Sequence, residues 1–304
     1  RGGGINHLFV QIPGILVDYV VLVDMVKEPH LHMQTFLEQY NPYYSGQVQF
    51  PEDSLFKPME MSIRKIIARR GALELLPLGN CTVNLGIGMP EGVANIAREE
   101  NIRDKMTLTV ESGPIGGLPA SGLSFGASYS PSCVVPQPSQ FDFYDGGGLD
   151  IAFLGAGEVD AEGNVNVSKF GPKFAGCGGF INITQNARQV VFCTTFTADG
   201  LKIAAADNRL QIVQEGKTAK FVKKVEQITF SGKYALEKGT VVKYVTERGV
   251  FQLEKEGLTL TEIAPGIDLQ RDILDLMQFK PRVVASPKLM NPAIFSEGKM
   301  NVDR

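Results

Sequence analysis

The alternation of apolar and polar residues divides the chain into elements before any single residue is weighed. From 60 to 75, EMSIRKIIARRGALEL places apolar side chains at 63, 66, 67 and 73 with basic residues between them, the stripe of an amphipathic helix. CTVNLGIG (81–88) reads as a buried strand that runs out into glycines. MPEGVANIAREENI then reads as a helix with Pro90 in its first turn, where a missing N–H costs nothing. KMTLTV (105–110) is the next strand and delivers the chain to Glu111. Alternation of this kind predicts an α/β fold, with an open, mainly parallel sheet flanked by helices.

The flanking regions are read the same way. QIPGILVDYVVLVD (11–24) predicts a strand entered through a Pro-Gly turn, and residues 33–39 carry helix potential. QFPEDSLFKPMEMS, with its two prolines, predicts a linker, so a domain boundary is placed near 57. Residues 1–57 are too short to fold alone and are expected to be the tail of a domain whose beginning is absent. Further on, 141–171 predicts strands joined through the turn DAEGN, a hairpin signal. Residues 173–197 predict a glycine turn followed by a β-prone run at 190–197. Additional short strands are expected in LKIAAADNRLQIV, AKFVKKVEQITFSG, VVKYVTERGVFQL and LTLTEIAPG. Asp268 is the expected N-cap of a final helix, LQRDILDLMQF.

Composition removes several classes of function. The 304 residues are 43% hydrophobic and 21% charged, with a net charge of −3, so a nucleic-acid partner has no electrostatic footprint. No apolar run approaches the roughly 20 residues of a membrane span, and no membrane partner is expected. Cysteines at 81, 133, 177 and 193 have neither zinc-ribbon nor thioredoxin spacing. Reduced thiols in a cytoplasm are expected, with Cys177 small and structural and Cys193 in the core. Histidines occur only at 7, 30 and 32, and the pair at 30 and 32 reads as surface rather than metal-binding. A Ser–His–Asp or Cys–His constellation inside the main body is therefore excluded, and no metal site is expected. Chemistry has to rest on carboxylates, lysines, tyrosines or backbone groups.

Glycine makes up about a ninth of the chain, 33 residues, above the usual ~7%, and is concentrated at 113–122, 146–148 and 176–179. The first cluster follows Glu111 directly, in TLTVESGPIGGLPASG, with no salt-bridge partner among its sequence neighbours. One reading is a dinucleotide site: Gly86, Gly88 and Gly92 follow a strand, and an acid ends the next strand. The spacing is G-x-G-x-x-x-G, one residue longer than the fingerprint. The other reading is a nucleophile. A glutamate, which ordinarily titrates near a pH of about 4.3, is ionised at neutral pH without a helping base. It can attack a thioester, whose thiolate leaves readily, and the long tail of coenzyme A can supply binding energy for the uphill step. Bare backbone in GPIGG (113–117) and GCGGF (176–180) would admit the thioester and offer N–H groups to the oxyanion.

Several stretches together resemble the family I coenzyme A transferases: VNLGIGMPEGVA, TLTVESGPIGGLPASG, QFDFYDGGGLDIAFLG, VDAEGNVNVSKFGP, GCGGFINITQNARQVVFC, IVQEGKTAKFVKKVEQITFSG and LTEIAPGIDLQRDIL. The subgroup is that of acetate and propionate CoA-transferases, single chains that fuse two halves. The resemblance covers 58–304, and IPGILVDYVV is similar to the end of the first half. It implies a CoA-transferase (NagB/RpiA-like) fold with additional antiparallel strands. It also implies that Glu111 is the nucleophile, carrying an acyl anhydride and then a glutamyl-CoA thioester. Val83, Asn84, Leu85, Gly86, Ile87 and Gly88 match the CoA-contacting loop, and Gly178 and Gly179 the oxyanion segment, with Gly113, Gly116 and Gly176 beside them. Coenzyme A is then a substrate rather than a resident cofactor. The implied partners are acyl-CoA, short-chain carboxylates, the preceding half of the protein and further copies in a homo-oligomer, a tetramer by the resemblance. An NAD-dependent oxidoreductase, an acyl-CoA thioesterase using the same glutamate and a non-catalytic ligand sensor are the alternatives.

Overall fold

The computed structural model describes residues 10, 12–24, 26–28, 33–51 and 56–302. Histidines 7, 30 and 32, and the middle of the expected linker at 52–55, lie outside the described residues. One sheet of ten strands organises the chain. Its strands are β1 (Cys81–Leu85), β2 (Met106–Thr109), β3 (Pro114–Ile115), β4 (Cys133–Val134), β5 (Ile151–Leu154), β6 (Gln189–Cys193), β7 (Val241–Val245), β8 (Gly249–Glu254), β9 (Gly257–Ile263) and β10 (Arg282–Leu289). Their spatial order is β10-β9-β8-β7-β6-β5-β1-β2-β3-β4. The central run from β7 through β6, β5 and β1 to β2 is parallel throughout, with Val83 opposite Leu108 on one side and Ile151 on the other. Antiparallel pairings extend it at both ends, β7-β8-β9 on one side and β2-β3-β4 on the other, and β10 closes the first end parallel to β9. The mainly parallel α/β architecture read from the sequence is the architecture found.

Central strands buried on both faces explain the apolar runs that wrote them. On one face lie α1 (Ile63–Ala72) and α2 (Gly92–Glu99), with Ile66, Ile67, Val93 and Ile96 packed on Val83, Leu85 and Leu108. Ser62 caps α1 by accepting the Lys65 N–H at 3.2 Å. Arg69, fully buried, donates to the carbonyls of Ala293, Ile294, Ser296 and Gly298, tying the end of the chain to this helix. The opposite face carries α3 (Gln137–Asp145), α4 (Phe180–Gln185) and α5 (Gly232–Lys238) over a second core that includes Tyr144, Phe192, Phe230, Tyr244 and Phe251.

Five expectations are corrected. Residues 12–24 form no strand: a 3-10 turn at Gly14–Leu16 is followed by irregular chain with no ladder partner among the described residues, and Ile15 and Leu22 are 94% and 91% exposed. A β-prone sequence needs a neighbouring edge, and none of the described strands stands beside it. Residues 33–39 are bends rather than a helix; Thr35 draws the Glu38 N–H to its own hydroxyl at 3.0 Å, a local bond that competes with helix. Residues 141–145 are the second half of α3, not strand. The stretch 219–232 contributes only the end of one short strand and two isolated bridges, at Phe221 and Phe230, before α5 begins. Asp268 does cap, accepting the Arg271 N–H at 2.7 Å, but its helix α6 is only Leu269–Asp272 before a 3-10 turn at Leu274–Leu276. The DAEGN hairpin is present, pairing Glu158–Val159 with Val165–Asn166.

Residues 33–51 dock beside the main sheet. Phe50 stacks on Tyr129 with ring centroids 4.3 Å apart, and the Ser130 N–H donates to the Tyr43 carbonyl at 2.9 Å.

Candidate active site

The parallel strands β1, β2, β5 and β6 end on one edge, and the sequence leaves β1 and β2 there in GIG and in Glu111. The connection from β1 to β2 passes over one face through α2, and the connection from β2 to β5 over the other through α3. A carboxyl edge where connections change face is where α/β sheets open a crevice.

Glu111 stands at a corner of that edge. Val110 to Gly113 form a tight turn, closed by the Gly113 N–H on the Val110 carbonyl at 3.0 Å. The chain then returns as β3, with the Val110 N–H donating to Pro114 at 2.9 Å and the Gly116 N–H to Leu108 at 2.7 Å. Gly113 makes the corner possible: its φ is +125°, and a Cβ there would meet the Val135 carbonyl oxygen at 1.9 Å. The Gly113 and Gly116 amides are thus spent on building the turn.

The Glu111 carboxylate is half-buried. No described cation pairs with it; burial pushes its carboxyl above the usual range, partly offset by a hydrogen bond from its own backbone N–H. Against it lies the 176–180 segment. A Cβ on Gly179 would sit 3.1 Å from Glu111 Cγ and 3.3 Å from both Phe141 Cζ and Ile183 Cδ1, so the two segments pack tightly here and a side chain would push its neighbours aside by a few tenths of an ångström. The N–H groups of Gly178 and Gly179 donate to no backbone carbonyl among the described residues, whereas that of Gly176 is bound to Ser168 at 3.1 Å.

Among the other residues singled out in the sequence, Val83 and Leu85 point into the core under α1 and α2. Gly86 donates to the Phe153 carbonyl at 2.8 Å, and its missing Cβ leaves space for Leu154, so it serves strand packing rather than close approach of a pyrophosphate. Ile87, 58% exposed, and Gly88, with φ +87° and open space around it, are the part of that loop at the surface. Cys177 is exposed rather than packed, while Cys193 is buried as expected. Asn84 is fully buried and reaches Tyr144, which sequence reasoning missed together with Gln140 and Phe141. Two signals were available: Asn84 and Thr109 are polar residues inside apolar strands, and Gln140 and Tyr144 are four apart.

The geometry is that of a carboxylate without a described cation, packed close to Gly179, and the chain is similar to known proteins. No protein-family model matches it. Acetate CoA-transferase YdiF of Escherichia coli O157:H7 is 44% identical over 291 residues, covering 96% of this chain and 53% of that protein. Caffeate CoA-transferase of Acetobacterium woodii is 45% identical over 293 residues, 95% of this chain and 55% of that protein. Acetate CoA-transferase subunit beta of Escherichia coli K12 is 30% identical over 219 residues, and the match takes in 89% of its length. The chain belongs to the family I coenzyme A transferases. The crystal structure of the YdiF thioester complex with CoA superposes on all of this CoA-transferase chain and on 55% of its own, with a TM-score of 0.82 at 41% identity. This CoA-transferase chain thus spans about half the length of the YdiF and caffeate relatives, 53% and 55%. No described helix is long and apolar enough to cross a membrane, and no described cluster of three or more His, Cys, Asp or Glu is arranged to hold a metal.

Proposed function

We propose that Glu111 is the covalent nucleophile of an enzyme that moves coenzyme A between short-chain acyl-CoA and a free carboxylate such as acetate, propionate, lactate or butyrate. The observation that carries this reading is the carboxylate at the corner after β2, without a described cation, packed close to Gly179, whose N–H, like that of Gly178, donates to no described backbone carbonyl. The Glu111 oxygen attacks the thioester carbonyl, and the C–S bond breaks to release CoA thiolate and leave an acyl-glutamyl anhydride. The thiolate then attacks the glutamyl carbonyl, expels the first carboxylate and leaves glutamyl-CoA. An incoming carboxylate reverses both steps, so the exchange is ping-pong. The Gly178 and Gly179 N–H groups are the donors for the oxyanion that forms in each attack. A carboxylate held poorly hydrated and without a described counter-ion is the more reactive form of a weak nucleophile, and as an anion it needs no base to activate it.

The loop at Ile87 and Gly88 borders the same edge and is assigned to coenzyme A, a substrate that departs at the end of each cycle. Residues 1–57 are assigned to the end of a preceding half and 58–304 to the half that carries the glutamate. The preceding half and further copies of the protein are its partners, in a cytoplasm that keeps the four free thiols reduced.

Incubation with acyl-CoA alone, in the assembly in which the protein occurs, is expected to add CoA to the chain as a mass increase that maps to Glu111. Glu111→Ala should remove it. Loss of acyl-CoA to water with no acceptor acid present would favour a thioesterase instead. Label exchange between CoA esters that survives in Glu111→Ala would overturn the assignment.

A further inference from the structure

The fully enclosed side chains of Asn84 and Gln140 carry polar atoms without a well-formed hydrogen bond. Asn84 Nδ2 donates to the Thr109 carbonyl at 3.4 Å and to the Tyr144 hydroxyl at 3.3 Å, and its Oδ1 has no partner. Gln140, one turn before Tyr144 on α3, makes no well-formed bond through either amide atom, although its amide lies near enough to the phenol to favour the ionised form. Tyr144, also fully buried, donates to Thr109 Oγ1 at 3.0 Å, and Thr109 Oγ1 donates to the Val83 carbonyl at 3.1 Å. One phenolic oxygen therefore ties the ends of β1 and β2 to α3.

Buried polar groups are nearly always satisfied, and a cluster of orphans is a place where packing alone would have been better served by apolar side chains. Phenylalanine would fill the same volume as Tyr144 and need no partner. What the hydroxyl adds is a fixed geometry, and Thr109 stands two residues before Glu111 on the same strand exit. The two groups also sense each other: burial above all, and the Glu111 charge as a lesser contributor, push the Tyr144 phenol up.

We propose that Tyr144 is a positioning residue for Glu111: through Thr109 and Asn84 its hydroxyl fixes the strand ends from which the carboxylate reaches the thioester carbonyl. This rests on the reading of Glu111 as nucleophile. Tyr144 does not touch substrate, so its removal acts on the rate of the chemical step and not on acyl-CoA binding.

The test is single-turnover formation of the CoA adduct, in the assembly in which the unaltered protein occurs. Tyr144→Phe should slow adduct formation at least about tenfold, with KM for acyl-CoA within about twofold and a full burst amplitude per folded site. A purely structural role would lower the amplitude or the melting temperature and leave the rate per intact site unchanged. Thr109→Val, which removes the acceptor of the same bond at nearly constant volume, should give a similar loss, and the double variant should be no slower than either single. Rates within twofold of the unaltered protein in both single variants, or losses that multiply in the double, would overturn the role of Tyr144 alone. An unaltered protein that takes up no CoA would instead overturn the assignment of Glu111.

Discussion

Replacing Gly113 by alanine tests whether the corner at Glu111 is built as described. The ideal Cβ falls 1.9 Å from the Val135 carbonyl oxygen, so the two segments must separate by more than about 1 Å to reach ordinary contact. Alanine at φ +125° adds backbone strain of about 1–3 kcal/mol. The separation also breaks or lengthens the bond from the Val135 N–H to the Gly113 carbonyl, 3.0 Å, and strains the turn bond from Gly113 to Val110. Each such bond contributes a net ~0.5–1.5 kcal/mol. The expected destabilisation is therefore on the order of 2–6 kcal/mol, read as a fall in the urea midpoint at constant m-value. Because the displaced turn carries the nucleophile, adduct formation in the surviving folded protein should fall by about 10²-fold, the usual cost of a 1 Å misplacement. Gly88→Ala is the control for stability: its φ is also positive, +87°, but nothing lies within 4 Å. If Gly113→Ala unfolds at the same urea concentration as Gly88→Ala and labels at the unaltered rate, the corner is not what places Glu111.

Two further outcomes are expected. A carboxyl held above its ordinary pKa by burial binds its proton more tightly folded than unfolded, so Glu111 costs stability as pH rises from the unfolded value of about 4.3 through the folded one. Glu111→Gln should consequently raise the melting temperature at pH 8, with the gain shrinking towards zero as pH falls through that window; a gain that grows in acid would reveal a hidden cation beside the carboxylate. Arg69→Met removes the donor to four carbonyls in residues 293–298 and should cost about 2–4 kcal/mol in denaturant unfolding, with new proteolytic cleavage near the end of the chain. An unchanged midpoint and cleavage pattern would show that this segment is held by its apolar contacts alone.

The core unit from 81 to 111 is legible because each of its signals is local: a continuous apolar run, Pro90 in a first turn, and a second run ending on an acid. Glu111 stands out for the same reason, as chemistry without a neighbour to neutralise it. Elsewhere the local signals mislead. QPSQFDFYD carries β-prone aromatics, yet Pro138 sits in the first turn of a helix and Gln140 and Tyr144 repeat at four, the weaker but correct cue. SGKYALEKG has a Ser231 cap and Gly239 at φ +73°, a complete start and stop, but is masked by the β-rich run around it. β10 escapes the pattern because Pro287 interrupts RVVASPKL, a residue tolerated there since the strand lies at the sheet edge. The meeting of Tyr144 with Asn84 and Thr109 joins three elements far apart in sequence, and no spacing rule announces it.

The ribbon from Ile12 to Val23 has a practical meaning for anyone handling this chain. With Ile15, Tyr19, Val20, Val21 and Leu22 all turned to water, it is greasy in a way that the fold beneath it is not. Where nothing lies over it, molecules will cling to each other and to surfaces, and turbidity or a smeared elution profile will report that ribbon rather than any weakness in the two cores that grip the sheet.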